Sequence, residues 1–336
     1  MRRFSCDVEQ KHIYILEKSK PLIRKSAIKD SGEERYFYKL PILDALKTDK
    51  DEKLHKLFDE AAKTDFGKGI DDLSVKEIEN LEYCVENYFG EFIEPELSRF
   101  VEKIVTSAYD GNLWVINNCS FISEKEKHDL SFFLAKEFIR TKQHRDLSIS
   151  MMEEVQKKII SLVSQLEGEK IDQGSIEVKY DKNAKIVLHA NTILNDEISN
   201  MFAGIFCNDV WCLFENFTDE PFCCSDNAIT LYPTEKNQPN YGYGLDTYGM
   251  TLLYPISPKL LLVMMDKNKY KNHKNYRNRK MIKITNNTII QELNLAIVTN
   301  SYKYTFFSNE VTALKYKQMC EDNECIRKNS PIVKVY

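Results

Sequence analysis

The stretch from Trp211 to Leu262 limits the fold of this chain more than any other part of it. It reads Trp211-Cys-Leu-Phe-Glu-Asn, then Pro221-Phe-Cys-Cys-Ser-Asp-Asn-Ala-Ile-Thr, then Leu253-Tyr-Pro-Ile-Ser-Pro-Lys-Leu-Leu-Leu. Short apolar runs bounded by proline and by the turn-forming Ser225-Asp226-Asn227 have strand texture. A chain carrying them builds a compact sheet there and holds polar groups at a strand end.

The rest of the chain has a different period. His12 to Leu16 alternates as a strand and Pro21 to Ile28 returns beside it, a hairpin turned at Lys18-Ser19-Lys20. Past Gly32 the apolar residues take helical spacing, first Leu54, Leu57, Phe58 and Ala61, then Ile78, Leu81, Val85, Tyr88 and Phe89. Pro95 suits the first turn of a further helix through Leu97, Phe100, Ile104 and Val105. Ser123-Glu-Lys-Glu126 is a capping box that opens a central helix running through Phe132, Phe133 and Phe138. A second long helix is expected from Leu147 to Leu166, then a loop at Asp172-Gln-Gly174, a short strand at Ile176 to Tyr180 and a helix over Ala184 to Phe206. After the strands, Thr285-Asn-Asn-Thr introduces a helix through Ile297, Tyr304 to Phe307 is extended, and Val311 to Met319 is a last helix. The expected class is α+β: an N-terminal hairpin and helical assembly, followed by a mainly antiparallel sheet and C-terminal helices. The division expected is residues 1–170 for the hairpin and helical region and 171–336 for the strand-rich region with C-terminal helices, packed as one composite domain.

Composition narrows the function classes. With 43% hydrophobic and 29% charged residues the chain is an ordinary globular one. Only 11 glycines occur, and no G-x-G-x-x-G or Walker-type run, so the familiar mono- and dinucleotide phosphate cradles are not supported. The nine cysteines are odd in number and scattered, and the polar N-terminus lacks an apolar signal core, which together point to a reduced, cytoplasmic setting. The longest apolar run, Leu260 to Met265, is too short to span a bilayer, so no membrane partner is expected. Cys207-x4-Cys212, Cys223-Cys224 and Cys320-x4-Cys325 lack knuckle spacing, and adjacent Cys223 and Cys224 on a strand point to opposite faces, so buried free thiols are expected and no metal or cofactor is assigned.

Three groups could carry chemistry. On the central helix Glu137, Arg140 and His144 share a polar stripe on a segment otherwise apolar nearly all round, hence buried. They form either a cleft in which Glu137 and His144 move protons while Arg140 binds phosphate, or a structural ion-pair network. Ser225, Asp226 and Asn227 are either a backbone-bonded turn or a phosphate-binding and catalytic contribution from a strand end, with Asp226 orienting a metal or water. The net charge of −4 conceals a basic segment, Asp266 to Lys283, with eight basic residues against one acid. There Lys271, Lys274, Arg277 and Arg279, interleaved with Tyr270, Tyr276 and His273, are the candidates for nucleic-acid contact, the alternative being a solvated excursion.

Arg140-Thr-Lys-Gln-His144 resembles the arginine-to-histidine motif of the helical higher-eukaryote-and-prokaryote nucleotide-binding ribonucleases, with a shorter gap than that motif needs. A broader likeness rests on Ile13-Tyr-Ile-Leu-Glu-Lys, Tyr36-Phe-Tyr, Phe138-Ile-Arg-Thr, the Trp211 strand, Phe222-Cys-Cys-Ser-Asp-Asn and Tyr254-Pro-Ile-Ser-Pro, in that order. By these the chain resembles, over nearly its whole length, the uncharacterised, mostly bacterial family catalogued as domain of unknown function 4238. That family typically opens with His-x-x-Pro leading to a Leu-Arg-x-Phe-like end, of which Met1-Arg-Arg-Phe matches only the tail, and Ala228 stands where the family usually has proline. The resemblance implies an architecture and a cleft, with no established activity. The reading that follows is a phosphate- or nucleic-acid-directed effector, nuclease-like in chemistry and cleaving phosphodiester bonds. Its competitor is a non-catalytic binding or regulatory module whose polar residues are a structural network.

Overall fold

A computed structural model describes residues 2–31, 38–42, 52–109, 120–166, 176–234, 244–273 and 277–328. Contacts divide the chain into two compact units interleaved along the sequence. One comprises Met1–Glu33, Leu97–Ser148 and Ser199–Tyr336, and the other Glu34–Glu96 and Ile149–Ile198. The first unit holds both sheets, and the class is α+β, with the N-terminal hairpin, mainly antiparallel sheets and C-terminal helices.

In the second unit, α1 (Glu52–Phe66) buries Phe58 and Ala62. It is followed by α2 (Val75–Glu82), α3 (Cys84–Tyr88) and a π-helical turn, Phe89–Ile93, that leads into α4 (Glu94–Tyr109). Ser74 and Glu77 make a reciprocal capping box on α2, satisfying backbone donors that the first helical turn leaves free. The central helix α5 (Glu124–Ile139), which like most of α4 belongs to the first unit, carries the capping box expected at Ser123 and Glu126. The next helix, α6 (Lys142–Leu166), begins three residues after it.

Two expectations in this half are corrected. Ile176 to Tyr180 forms no strand, because α6 takes up its polar groups: the Tyr180 N–H donates to Glu153 Oε1 at 3.0 Å and Gln156 donates to the Tyr180 hydroxyl. The helix expected over Ala184 to Phe206 is two helices, α7 (Lys182–Leu194) and α8 (Asp196–Asn208). Asn195 breaks them apart with an extended backbone, and its Oδ1 accepts from the N–H groups of Glu197 and Ile198 at 2.8 and 3.3 Å. Short polar side chains that bond the backbone in this way favour helix starts over helix interiors. The loop at Asp172-Gln-Gly174 lies outside the described residues, as do Tyr36 and Phe37.

The five-stranded sheet is centred on β3 (Val210–Asn216) and β7 (Leu260–Met265), whose residues are buried almost without exception, so both faces are covered. In strand order it runs β5 (Thr230–Pro233), β6 (Met250–Ser257), β7, β3, β8 (Lys280–Ile284), antiparallel except for the β3–β8 pair. The last part of the basic segment, expected as a loop, is therefore strand β8, and its first part is the short helix α9 (Lys267–Tyr270). One face packs Cys212, Phe214, Leu253, Leu261 and Val263 against Ile290, Leu293 and Ile297 of α10 (Asn287–Asn300) and Tyr316 of α11 (Glu310–Asp322). On the other, Trp211 donates its indole N–H to the Phe206 carbonyl at 2.7 Å and lies beneath the Lys127 ammonium of α5. A final short helix, α12, covers Glu324–Lys328.

The second sheet gathers strands from three distant places. The hairpin of β1 (His12–Glu17) and β2 (Leu22–Ala27) pairs through β1 with β9 (Tyr304–Phe307), which pairs in turn with the two-residue β4 (Cys224–Ser225). Cys223 joins the main core and Cys224 packs on the smaller Phe4, Ile13, Ile15 and Phe306 cluster, so the adjacent thiols face opposite sides. The eight described cysteines are all free thiols. Among the described residues no helix is long and apolar enough to cross a membrane.

Candidate functional site

The Ser225-Asp226-Asn227 turn is built by backbone chemistry. The Ser225 hydroxyl donates to the Asn227 carbonyl at 3.0 Å and accepts from the Asn227 N–H at 3.2 Å. The Asp226 carboxylate accepts three successive backbone N–H groups, those of Tyr302, Lys303 and Tyr304, at 2.8, 2.7 and 2.8 Å. Burial raises the Asp226 carboxyl above its ordinary value, opposed by those three donors and by the charge of Lys18. Lys18, itself buried, donates to the carbonyls of Thr299 and Ser301 at 2.9 and 2.5 Å, and the Asn227 amide donates to the Asn300 carbonyl at 2.5 Å. The α10–β9 connection is thus held from the N-terminal hairpin on one hand and the Ser-Asp-Asn turn on the other.

The first turns of α6 meet this turn through residues that periodicity did not single out. Because the central helix ends at Ile139, Glu137 and Arg140 stand at its C-terminus while His144 lies on α6, so the three do not share one helical stripe. Asn227 donates to the Gln143 side chain, the Tyr302 hydroxyl donates to Asp146 at 2.7 Å, and the Lys142 ammonium lies over the Tyr302 ring. Glu137 and Arg140 pair one helical turn apart at 3.4 Å, and their charges act on the half-buried Tyr254 of β6, whose pKa desolvation raises. His144 is buried with its ring edge-on to Phe138 and Phe202, at centroid separations of 5.2 and 5.6 Å, and its Nδ1 lies 3.4 Å from the Ser148 hydroxyl. Of the six residues, Asp226 and Asn227 are tied to one loop, Ser225 to its own turn, Glu137 and Arg140 to each other, and His144 sits in an aromatic wedge.

The basic segment divides. Arg279 adopts a left-handed backbone (φ 63°), pairs with Glu124 at 2.9 Å and donates to the Ile122 carbonyl at 3.1 Å, so it fastens the sheet to the residues that open α5. Arg277 is exposed, and Lys274 lies outside the described residues. Lys271 lines a cavity of about 270 Å³ together with Lys127, Lys267, Cys207, Asp209 and Asn278.

That cavity holds groups missed in the sequence. Lys127 is buried, donates to the Asp209 carbonyl at 2.7 Å and approaches Asn278 Oδ1 at 3.4 Å, and burial lowers its pKa. Asp209 is 9% exposed, and among the described residues its carboxylate forms no ion pair or hydrogen bond. Burial first, then the nearby charge of Asp266, push the Asp209 carboxyl up to about 7, against the pull of Lys127. The one available signal was position: an acid directly after the last residue of α8 stands where the helix dipole favours a cation. Among the described residues no group of three or more His, Cys, Asp or Glu side chains is placed to hold a metal ion.

The family model described as "Protein of unknown function (DUF4238)" matches residues 1–310, and the chain belongs to that family. No curated protein and no solved structure matches it.

Proposed function

We propose that this chain is a phosphate-directed binding module whose recognition point is the cavity beside Asp209, with the Ser-Asp-Asn turn as structural support. The observation that carries this reading is the cavity itself. Lys127, Lys267 and Lys271 converge on it, and among the described residues none of the three forms an ion pair. Lys267 and Lys271 stand one turn apart at the solvent-facing end, and Lys127 is fixed at depth by its bond to the Asp209 carbonyl. A carboxyl that holds its proton near neutrality adds a donor where a phosphate oxygen would otherwise meet a negative charge. Exposed Arg277 nearby extends the positive field toward a nucleic-acid backbone. Free thiols throughout the described residues support a reducing, cytoplasmic setting.

The test is titration with inorganic phosphate and with labelled RNA and DNA at several salt concentrations. Affinity should fall with salt, and Lys127→Met or the pair Lys267→Met and Lys271→Met should weaken it by about tenfold or more and flatten the salt slope. Absence of phosphate and nucleic-acid binding at low salt, or unchanged affinity in these variants, rejects the reading. The Asp209 carboxyl also favours a second reading, a nuclease-like phosphodiester hydrolase in which Asp209 handles the proton. Incubation with RNA and DNA, with and without a divalent metal, separates the two. Cleavage abolished by Asp209→Asn with binding retained supports the hydrolase, and no cleavage by the unaltered chain leaves the binding module.

A further inference from the structure

The helix α6 is folded with its burial inverted. Ser161 and Ser164 are buried at 0% and 8% exposure, whereas Leu162 and Leu166 on the same turns are 58% and 88% exposed. With 100° per residue, Met151, Met152, Val155, Ile159, Leu162, Val163 and Leu166 fall within an arc of about 120°, and no polar residue of 151–166 lies inside it. Every one of these seven is more than a third exposed. Ordinary surface helices turn such an arc inward, and the largest apolar patch on a monomer is typically about 300–600 Å².

We propose that this face of α6 is the docking surface for a second copy of the same chain, the two helices pairing around a two-fold axis. Met152, Val155, Ile159, Leu162 and Leu166 are spaced alternately by three and four residues, the seam that packs knobs into holes against another helix of the same pattern. A two-fold axis sets the same patch against itself, so the patch must complement itself, and an arc without charges meets that condition with no like-charge repulsion. Seven side chains of this size present an area on the order of the ~800 Å² that each partner contributes to a standard interface. The edges are polar, with Gln156 on one side and Lys158 and Gln165 on the other, giving an apolar centre with a polar rim. A lipid surface fits less well. The polar face of 151–166 balances Glu153 and Glu154 with Lys157 and Lys158 and lacks the basic surplus of interfacial helices, and the arc contains no aromatic residue.

The experiment is sedimentation equilibrium of the full chain over a concentration series, with vesicle co-sedimentation in parallel. The expected result is a species of twice the 39.3 kDa chain mass. Leu166→Arg, at the most exposed position of the arc, and the pair Ile159→Lys and Leu162→Lys should weaken dimerisation by at least about 30-fold, with far-UV circular dichroism unchanged. Should the double variant misfold, concentration-dependent hydrogen-exchange protection of residues 151–166 in the unaltered chain reads the same surface. A 39.3 kDa species at every concentration, with or without vesicle binding, overturns the proposal. So does a dimer that Leu166→Arg leaves intact and whose α6 gains no protection.

Discussion

Asp226 shows how a residue with catalytic chemistry is committed to architecture. A carboxylate that accepts three backbone N–H groups recovers part of its lost hydration from fixed donors, and an amide in its place turns an N–H group toward one of them. Asp226→Asn is therefore expected to destabilise the chain by about 2–4 kcal/mol in denaturant unfolding. A loss under about 0.5 kcal/mol, within the range of surface substitutions, would contradict that role. Burial raises the carboxyls of both aspartates, but among the described residues no backbone N–H group offsets it at Asp209. Its folded-state carboxyl is raised from 3.8 to about 7, so the native chain holds the proton more tightly than the unfolded one. The resulting stability is fully present below about pH 4 and is lost as pH rises through about 7. Asp209→Asn should match the parent near pH 4 and exceed it at pH 8 by on the order of 3–4 kcal/mol. Parallel stability curves for the two proteins across that window would rule this out. In sequence the two aspartates were unequal. Asp226 stood out because it sits in a turn tripeptide, but its N–H partners lie nearly eighty residues further on; Asp209 had only an awkward place after a helix.

Among the elements, those specified locally were legible. The capping box at Ser123 and Glu126 forms as read, with Ser123 Oγ accepting the Glu126 N–H at 3.3 Å and Glu126 Oε2 accepting the Ser123 N–H at 3.1 Å. Bonds from Lys103 and then Ser123 hold the Glu126 carboxyl down to about 2. Ser123→Ala should lower stability by about 1 kcal/mol without changing helix content, as followed by thermal unfolding and circular dichroism. No measurable change would mean that α5 is held by packing alone. Hairpin β1–β2 was legible for the same reason, since alternation and turn lie within sixteen residues. The break at Asn195 was hidden because helical spacing continues across it, and the β8 strand because its lysines mask a pairing edge. Neither Asn195 nor Lys280 differs in type from residues found in uninterrupted helices or loops. What decides them is the side-chain cap in one case and the neighbouring β3 in the other.

For the whole molecule, class was legible and connectivity was not. Helical and strand texture separate cleanly along the chain, which is enough for α+β. The smaller sheet has no local signature: its strands come from both ends and from the Cys224–Ser225 turn, and only long-range pairing makes them one object. The candidate cavity was hidden in the same way, assembled from Lys127, Asp209 and Lys271 on α5, the α8–β3 junction and the residue after α9. The β1–β9 pairing has a consequence for synthesis. A ribosome delivers β1 roughly 290 residues before β9, which at ordinary elongation rates leaves about 15–60 s in which one edge of the hairpin has no partner. An open edge of that kind can recruit the same strand from a neighbouring nascent chain. On polysomes, where such chains are crowded together, a chaperone that covers this hairpin would keep its edge from pairing with a neighbour.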